Sequence, residues 1–209
     1  MTKWVADSID GVNLLTHEET LRPAVDALFP TGGVLLDVGA NVGLWSVLLG
    51  RRASRVIAVE PSAETAAMLR QNLQLNNLGA VTEVLEIAAW DENTTLSLVN
   101  PTGQPRSGWM RVVPDPDGTI PGRRLDDVLR ADRIDLVKID TEGADLHVLR
   151  GMQEHLARCR PVLFLESSHV LPYGYALTEL TDLLDDLNYS WEWAPSWQGD
   201  IIHMFCRPA

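Results

Sequence analysis

Asp37 and Glu60 frame a glycine turn in a spacing that suits a nucleoside carrying a positive charge. The stretch Val34-Leu-Leu-Asp-Val-Gly-Ala-Asn-Val-Gly43 is followed by Val56-Ile-Ala-Val-Glu-Pro61. Gly39 and Gly43 free the backbone to turn tightly and approach a ligand. Glu60 lies about twenty residues beyond the turn at the end of a second apolar run, where a carboxylate can accept hydrogen bonds from two ribose hydroxyls. The G-x-G-x-x-G pattern that seats a pyrophosphate is absent, because Asn41 holds the middle position. Asp37, two residues before the first Gly, would repel a pyrophosphate and attract a cation such as the ammonium of a methionine moiety. S-adenosylmethionine meets both requirements. The competing reading is an ordinary βα turn with a solvated Glu60.

A second group of residues could serve the transfer itself. Displacement at a sulfonium carbon needs an acceptor atom held in line, water excluded, and a proton removed if the acceptor is a hydroxyl. Asp140 and Glu142 leave the end of a later apolar run, and Glu166 and His169 leave the next one. In an open α/β sheet all four open on the crevice at the carboxyl ends of the strands. Asp140 and Glu142 could instead cap the helix that follows or favour its dipole. Asp140, Glu142 and Glu166 could also share a divalent cation, although paired acids alone do not specify one, and no metal is assigned. His17, His147, His155 and His203 have no such placement, and the helical ones read as surface residues. Trp191 and Trp193 read as packing aromatics, whereas Trp109 and Trp197 fall in irregular segments that could line an acceptor site. Lys138 is expected to snorkel or pair at the sheet face.

The elements that must position these groups alternate. Leu21, Val25 and Leu28 predict a helix that ends at Pro30-Thr-Gly-Gly33. Val34 to Val38 predicts a strand, with a helix from near Val42 to Arg51 and a strand at Val56 to Val59. Ser62 is a fitting N-cap for a helix carrying Ala66, Leu69 and Leu73. A third strand is predicted at Val81 to Ile87. Residues 91 to 122, rich in Pro and Gly, read as a β and loop excursion. A short helix at Arg124 to Leu129 and a strand at Ile134 to Ile139 follow. One helix then carries Leu146, Leu149, Met152 and Leu156, and a strand spans Pro161 to Glu166. Leu180, Leu183, Leu184 and Leu187 mark a further helix. Tyr189 to Trp193 and Ile201 to Cys206 predict an antiparallel hairpin, because their connection is too short for a crossover helix. This order predicts an α/β class, doubly wound around a mostly parallel sheet with a terminal antiparallel strand.

The 209 residues, 45% hydrophobic and without low-complexity tracts, suit one domain spanning 1–209, with 1–30 as an N-terminal helical segment. A net charge of −12 argues against nucleic acid partners. No apolar run approaches the roughly twenty residues of a membrane span, and no signal peptide pattern opens the chain, so a cytoplasmic location is expected. Cys159 and Cys206 stand apart, with no zinc spacing. A homo-oligomer is compatible with all of this.

Leu36-Asp-Val-Gly-Ala-Asn-Val-Gly43, Glu60-Pro61, Gln71-Asn-Leu-Gln-Leu-Asn76, Leu125-Asp-Asp127, Lys138-Ile-Asp-Thr-Glu-Gly143, Leu149-Arg-Gly151 and Pro161-Val-Leu-Phe-Leu-Glu166 together resemble the FkbM-type methyltransferases, over roughly Leu21 to Ser167. The resemblance implies a class I S-adenosylmethionine-dependent fold of Rossmann-like type, with seven strands, usually acting on oxygen. It implies that Asp37, Gly39, Ala40, Asn41 and Gly43 hold the methionine end and Glu60 the ribose. Pro61 and Ser62 would lie against the adenosine edge, and Ile87 and Ala88 against adenine. Asn41 either orients the methionine carboxylate or caps the following helix. Asp145 stands where the family usually has Glu. The expected acceptor is a small molecule, sugar or natural-product hydroxyl. An N- or carboxyl-methyltransferase and a cofactor-binding scaffold without turnover are the alternatives; a nicotinamide enzyme is disfavoured by the missing glycine.

Overall fold

The first strand, β1 (Val34–Val38), is apolar on both sides except at Asp37, as a strand covered on both faces must be. Helix α1 (Arg22–Leu28) precedes it. Then come α2 (Leu44–Gly50), β2 (Arg55–Val59), α3 (Ala63–Leu75) and β3 (Thr82–Leu85). The computed structural model describes residues 2–5, 21–100, 110–167, 173–194 and 203–209. Ser62 caps α3 as its type predicts, its hydroxyl accepting from the Thr65 N–H at 3.3 Å. Helix α2 starts later than expected, behind Gly43, whose φ of 96° suits glycine, so Asn41 is not its cap.

After the excursion, α4 (Leu125–Val128) leads to β8 (Leu136–Ile139), α5 (Asp145–Arg150), α6 (Gln153–Cys159) and β9 (Val162–Glu166). Helix α7 (Leu177–Asp186) and strands β10 (Tyr189–Trp193) and β11 (His203–Pro208) complete the order. The seven-stranded sheet runs β10-β11-β9-β8-β1-β2-β3. Strands β1, β2, β3, β8 and β9 pair parallel, while β11 is antiparallel to both β9 and β10. From β1 the chain winds outward through β2 and β3, then returns to the other side at β8. The β1/β8 junction is therefore the topological switch point, where the carboxyl ends open a crevice.

One face of this sheet, with Leu36, Val38, Ile57, Val137, Ile139 and Leu163, packs on α5, α6 and α7. The other, with Leu35, Val56, Leu136, Phe164 and Phe205, packs on α1 and on Trp45 and Leu49 of α2. The excursion folds as a second sheet from β4 (Ala88–Ala89), β5 (Thr94–Val99), β6 (Arg111–Pro114) and β7 (Ile120–Arg123), in the order β4-β7-β5-β6. Strand β3 ends two residues before Ile87, and Ala88 belongs to this second sheet, buried with Trp90, Leu96 and Val112. No helix among the described residues is long and apolar enough to cross a membrane.

The single helix expected over Leu146 to Leu156 is two. A Cβ at Gly151 would overlap the backbone carbonyl of Trp90, so only glycine fits where the two helices meet. The Gly151 carbonyl turns out to accept from Asp126 N–H at 3.0 Å. Asp126 then caps the new helix, taking the N–H groups of Glu154 and His155 at 3.1 and 3.0 Å. Its carboxylate also meets His155 Nδ1 at 2.7 Å, which corrects the surface reading of His155: the ring is buried. His147 is half-buried, stacked on Trp90 at 3.9 Å and bonded to Asp91.

Candidate active site

The register between strands lines the chemistry up. Ala58, Asp37, Lys138, Phe164 and Phe205 are consecutive partners across β2, β1, β8, β9 and β11. Two residues further toward the carboxyl edge, on the same face, stand Glu60, Gly39, Asp140, Glu166 and His203. Glu166 opposite His203 is a ladder pair. The others extend the ladder by one step, held by Gly39 N–H to Val59 O at 2.9 Å and Asp140 N–H to Val38 O at 3.0 Å. One row thus crosses the switch point from a carboxylate at one end to an imidazole at the other.

At the β2 end, Glu60 is fixed by the turn it serves. Its Oε2 accepts from the Asn41 N–H at 3.0 Å and its Oε1 from the Ser62 N–H at 2.9 Å. Asn41 reaches this geometry with φ at 51°, a left-handed conformation that Asn tolerates better than most residues. Each carboxylate oxygen keeps a further lone pair, the number a ribose diol needs. Burial raises the Glu60 pKa to about 7 against the pull of those two N–H groups. Gly39, at φ 74°, lies so close to β8 that a Cβ would overlap the Asp140 carbonyl. Ala40 is buried, its N–H on Val59 O, and Gly43 packs under Leu69. Pro61 and Ser62 are half-buried at the start of α3. This arrangement fits an adenosine ribose beside a backbone-lined turn.

Asp37 sits one layer beneath the row. It is 1% exposed, its Oδ2 accepts from the Ser46 hydroxyl at 2.6 Å, and desolvation raises its pKa against the nearby charge of Lys138. Lys138 is the pair of Asp37 in the ladder, 2% exposed, with Nζ 2.7 Å from Asp140 Oδ2. Burying an ammonium costs several kcal/mol unless it is paired. Lys138 is paired with an acid, and its charge is felt by Asp37, Asp140, Glu142 and Asp145 alike.

Around Lys138 gather the acids of the β8 end. Asp140 is bound to Lys138, and α5 begins only at Asp145, so Asp140 is no helix cap. Its pKa is raised by desolvation and then by Glu166. Glu142 has φ at 55°, followed by Gly143 at 104°, a strained turn of the kind that clusters at working sites. Burial, then Asp140 and Glu166, push its pKa up to about 9. Asp145 is fully buried, with Oδ1 accepting from Thr141 at 2.8 Å and Oδ2 meeting no hydrogen-bond partner among the described residues. Burial lifts it to about 8. The turn is braced by Tyr175, whose hydroxyl donates to Gly143 O and accepts from Leu146 N–H.

The structure thus brings together Asp140, Glu142 and Glu166 and adds Lys138, Asp145 and His203 to them. His169, Trp109 and Trp197 lie outside the described residues. Among the described residues no group of three or more His, Cys, Asp or Glu side chains is arranged to hold a metal ion. Trp191 packs partly on the core and donates to Asp185, while Trp193, expected to be buried, is 49% exposed. Lys138 had a local signal, a cation inside an apolar strand. His203 had none, because its placement depends on which strand β11 joins.

Comparison with known proteins accords with this geometry. Residues 37–190 match the family described as "Methyltransferase FkbM domain". The chain is 30% identical over 210 residues to "Methyltransferase sdnD" of Sordaria araneosa, covering 81% of this chain and 80% of that protein. It is 26% identical over 154 residues to "Methyltransferase 1" of Beauveria bassiana, covering 61% of each. Among solved structures, an FkbM methyltransferase of Methylobacillus flagellatus superposes with a TM-score of 0.61 at 17% identity, over 85% of this chain. The match covers 44% of that chain, less than half its length. A precorrin-6y C5,15-methyltransferase of Geobacter metallireducens superposes at 0.55 and 16% identity, over 91% of this chain and 87% of the other.

Proposed function

This chain belongs to the FkbM methyltransferase family, and on that premise we propose that it moves a methyl group from S-adenosylmethionine to a hydroxyl of a small polyhydroxylated acceptor, a sugar or natural-product alcohol. The observation that carries this reading is the polar row at the carboxyl edge. Glu60 and the Gly39 turn form a ribose-sized donor end, and Asp140 with Glu166 forms an acid-rich acceptor end across the switch point.

Bound S-adenosylmethionine supplies an electrophilic methyl on a charged sulfur. The chain's own groups do the rest. Glu60 accepts the ribose hydroxyls with oxygens already aimed by two backbone N–H groups, so little reorganisation is needed. Asp37 and Ser46 sit below the turn and place negative potential under the methionine end. Asp140 is oriented by Lys138, and Glu142 by its left-handed turn, for positioning the acceptor. Glu166 stands next in the row, where a carboxylate can take the acceptor proton. A second reading is favoured by the surplus of acids over Lys138: an amine acceptor, held as a cation before transfer to nitrogen.

The test is calorimetric titration with S-adenosylmethionine and its demethylated product, followed by mass analysis of a panel of sugars, alcohols and amines. Micromolar binding and methylated alcohols support the proposal. Methylated amines alone select the second reading. Binding without any methylated product across the panel favours a scaffold that holds cofactor without turnover.

A further inference from the structure

We propose that His203 is a positioning residue for Glu166, its Nε2 edge contacting the Glu166 carboxylate and holding it in place to take the acceptor's proton; this rests on the hydroxyl-transfer reading above. Nothing in the matched segment 37–190 contains this residue. It is brought to the site by topology. Because β11 runs antiparallel to β9, its first residue emerges at the edge where the parallel strands end, directly opposite Glu166. His203 Nε2 lies 3.3 Å from Glu166 Oε2. The imidazole is held flat against Phe164, with centroids 5.4 Å apart and planes 13° from parallel.

Two further observations set it apart from a packing residue. The next three residues of β11, Met204, Phe205 and Cys206, are buried and apolar or nearly so, and a fourth apolar side chain would satisfy the sheet. His203 is instead 8% exposed with Nδ1 buried and, among the described residues, without a hydrogen-bond partner, an arrangement that stability alone does not favour. The charged groups around the dyad are Glu166 on β9, Lys138 and Asp140 on and after β8, Glu142 in the turn, and Asp145 on α5.

The step balances without any other reactant. The acceptor O–H bond breaks and its proton passes to a Glu166 carboxylate oxygen. The new O–C bond forms as the C–S bond breaks, its electron pair staying on sulfur. His203 keeps its own Nε2 proton throughout and holds the carboxylate in place while its charge is lost. The proton then leaves Glu166 to water.

The experiment combines nitrogen-15 spectra of histidine-labelled protein with turnover on two minimal probes, glycerol for hydroxyl acceptors and 2-amino-1,3-propanediol for amines. In the wild type, His203 should carry its proton on Nε2, and Glu166→Leu, which removes the acceptor, should redistribute the tautomers. His203→Leu should lower glycerol methylation roughly 10- to 100-fold, a share of the usual general-base effect. Its affinity for S-adenosylmethionine should stay within about twofold, because Glu60 at the donor end of the row lies four strands away. His203→Gln, which keeps a side-chain donor, should recover part of the rate, and the pH-rate profile should shift between the two variants. Identical tautomers in wild type and Glu166→Leu would overturn the dyad, whether or not either probe is methylated. Wild-type rates in His203→Leu, or a rate loss matched by lost cofactor affinity, would overturn its role in transfer. If only the amine is methylated, the hydroxyl reading fails while the tautomer result still decides the dyad.

Discussion

Glu60 shows how far single side chains could be read before the fold was known. Its type and spacing from the Gly turn were enough to nominate a ribose site, and the structure adds the two N–H groups that aim it. Replacing it with Ala should weaken S-adenosylmethionine binding about 10- to 100-fold, the worth of hydrogen bonds to a charged group. Calorimetry at pH 8 checks this, and unchanged affinity would remove Glu60 from the donor end. The group also sets a pH dependence. With its pKa raised to about 7, Glu60 is partly protonated below neutrality. Affinity should therefore rise between pH 6 and 8 and level off above, and Glu60→Gln should flatten that rise. Asp140 and Glu142 were equally legible as strand-end acids, but whether they cap a helix was not. That depends on α5 starting only at Asp145. Asp140→Asn is expected to lower kcat more than cofactor affinity, since its partner is Lys138 rather than the ribose end.

Among the elements, apolar periodicity predicted the parallel strands well, because strands buried on both faces leave an uninterrupted signal. It failed where tertiary contact decides the matter. Leu146, Leu149, Met152 and Leu156 keep one helical phase, yet the segment breaks at Gly151, where the chain lies tight against the Trp90 backbone. The cap that starts α6 comes from Asp126, 28 residues before Glu154, so no local motif announces it. Gly151→Ala should lose about 2–4 kcal/mol, since the added Cβ has backbone and not a side-chain end to displace. A urea titration reads this directly. A midpoint equal to wild type would mean that the close approach between α5 and Trp90 is not tight. The third strand stops at Leu85, short of the expected Ile87, for a related reason: the chain switches sheets after β3, and two short apolar runs in succession look like one strand.

The whole molecule carries more acid at its centre than its stability favours. Glu60, Asp145 and Glu142 are raised to about 7, 8 and 9, each first by desolvation. Unfolded, these groups titrate near 4. Between those limits the native state holds more protons than the unfolded chain, so stability is greatest below the unfolded values for these groups and falls as pH rises through the folded ones. The melting temperature is expected to drop between pH 6 and 9 at fixed ionic strength, and Glu142→Gln to flatten the decline. A melting temperature that climbs with pH would contradict the burial of these acids. The order of the strands has another outcome, one of timing. Strand β11 lies inside the sheet, with β9 on one side and β10 on the other, so β10 can be fastened only through a segment made after it. During synthesis the chain can assemble its parallel strands while β9 remains a bare edge, open to stray pairing. That edge closes only when His203 arrives opposite Glu166, so the last paired strand is the one that completes the polar row.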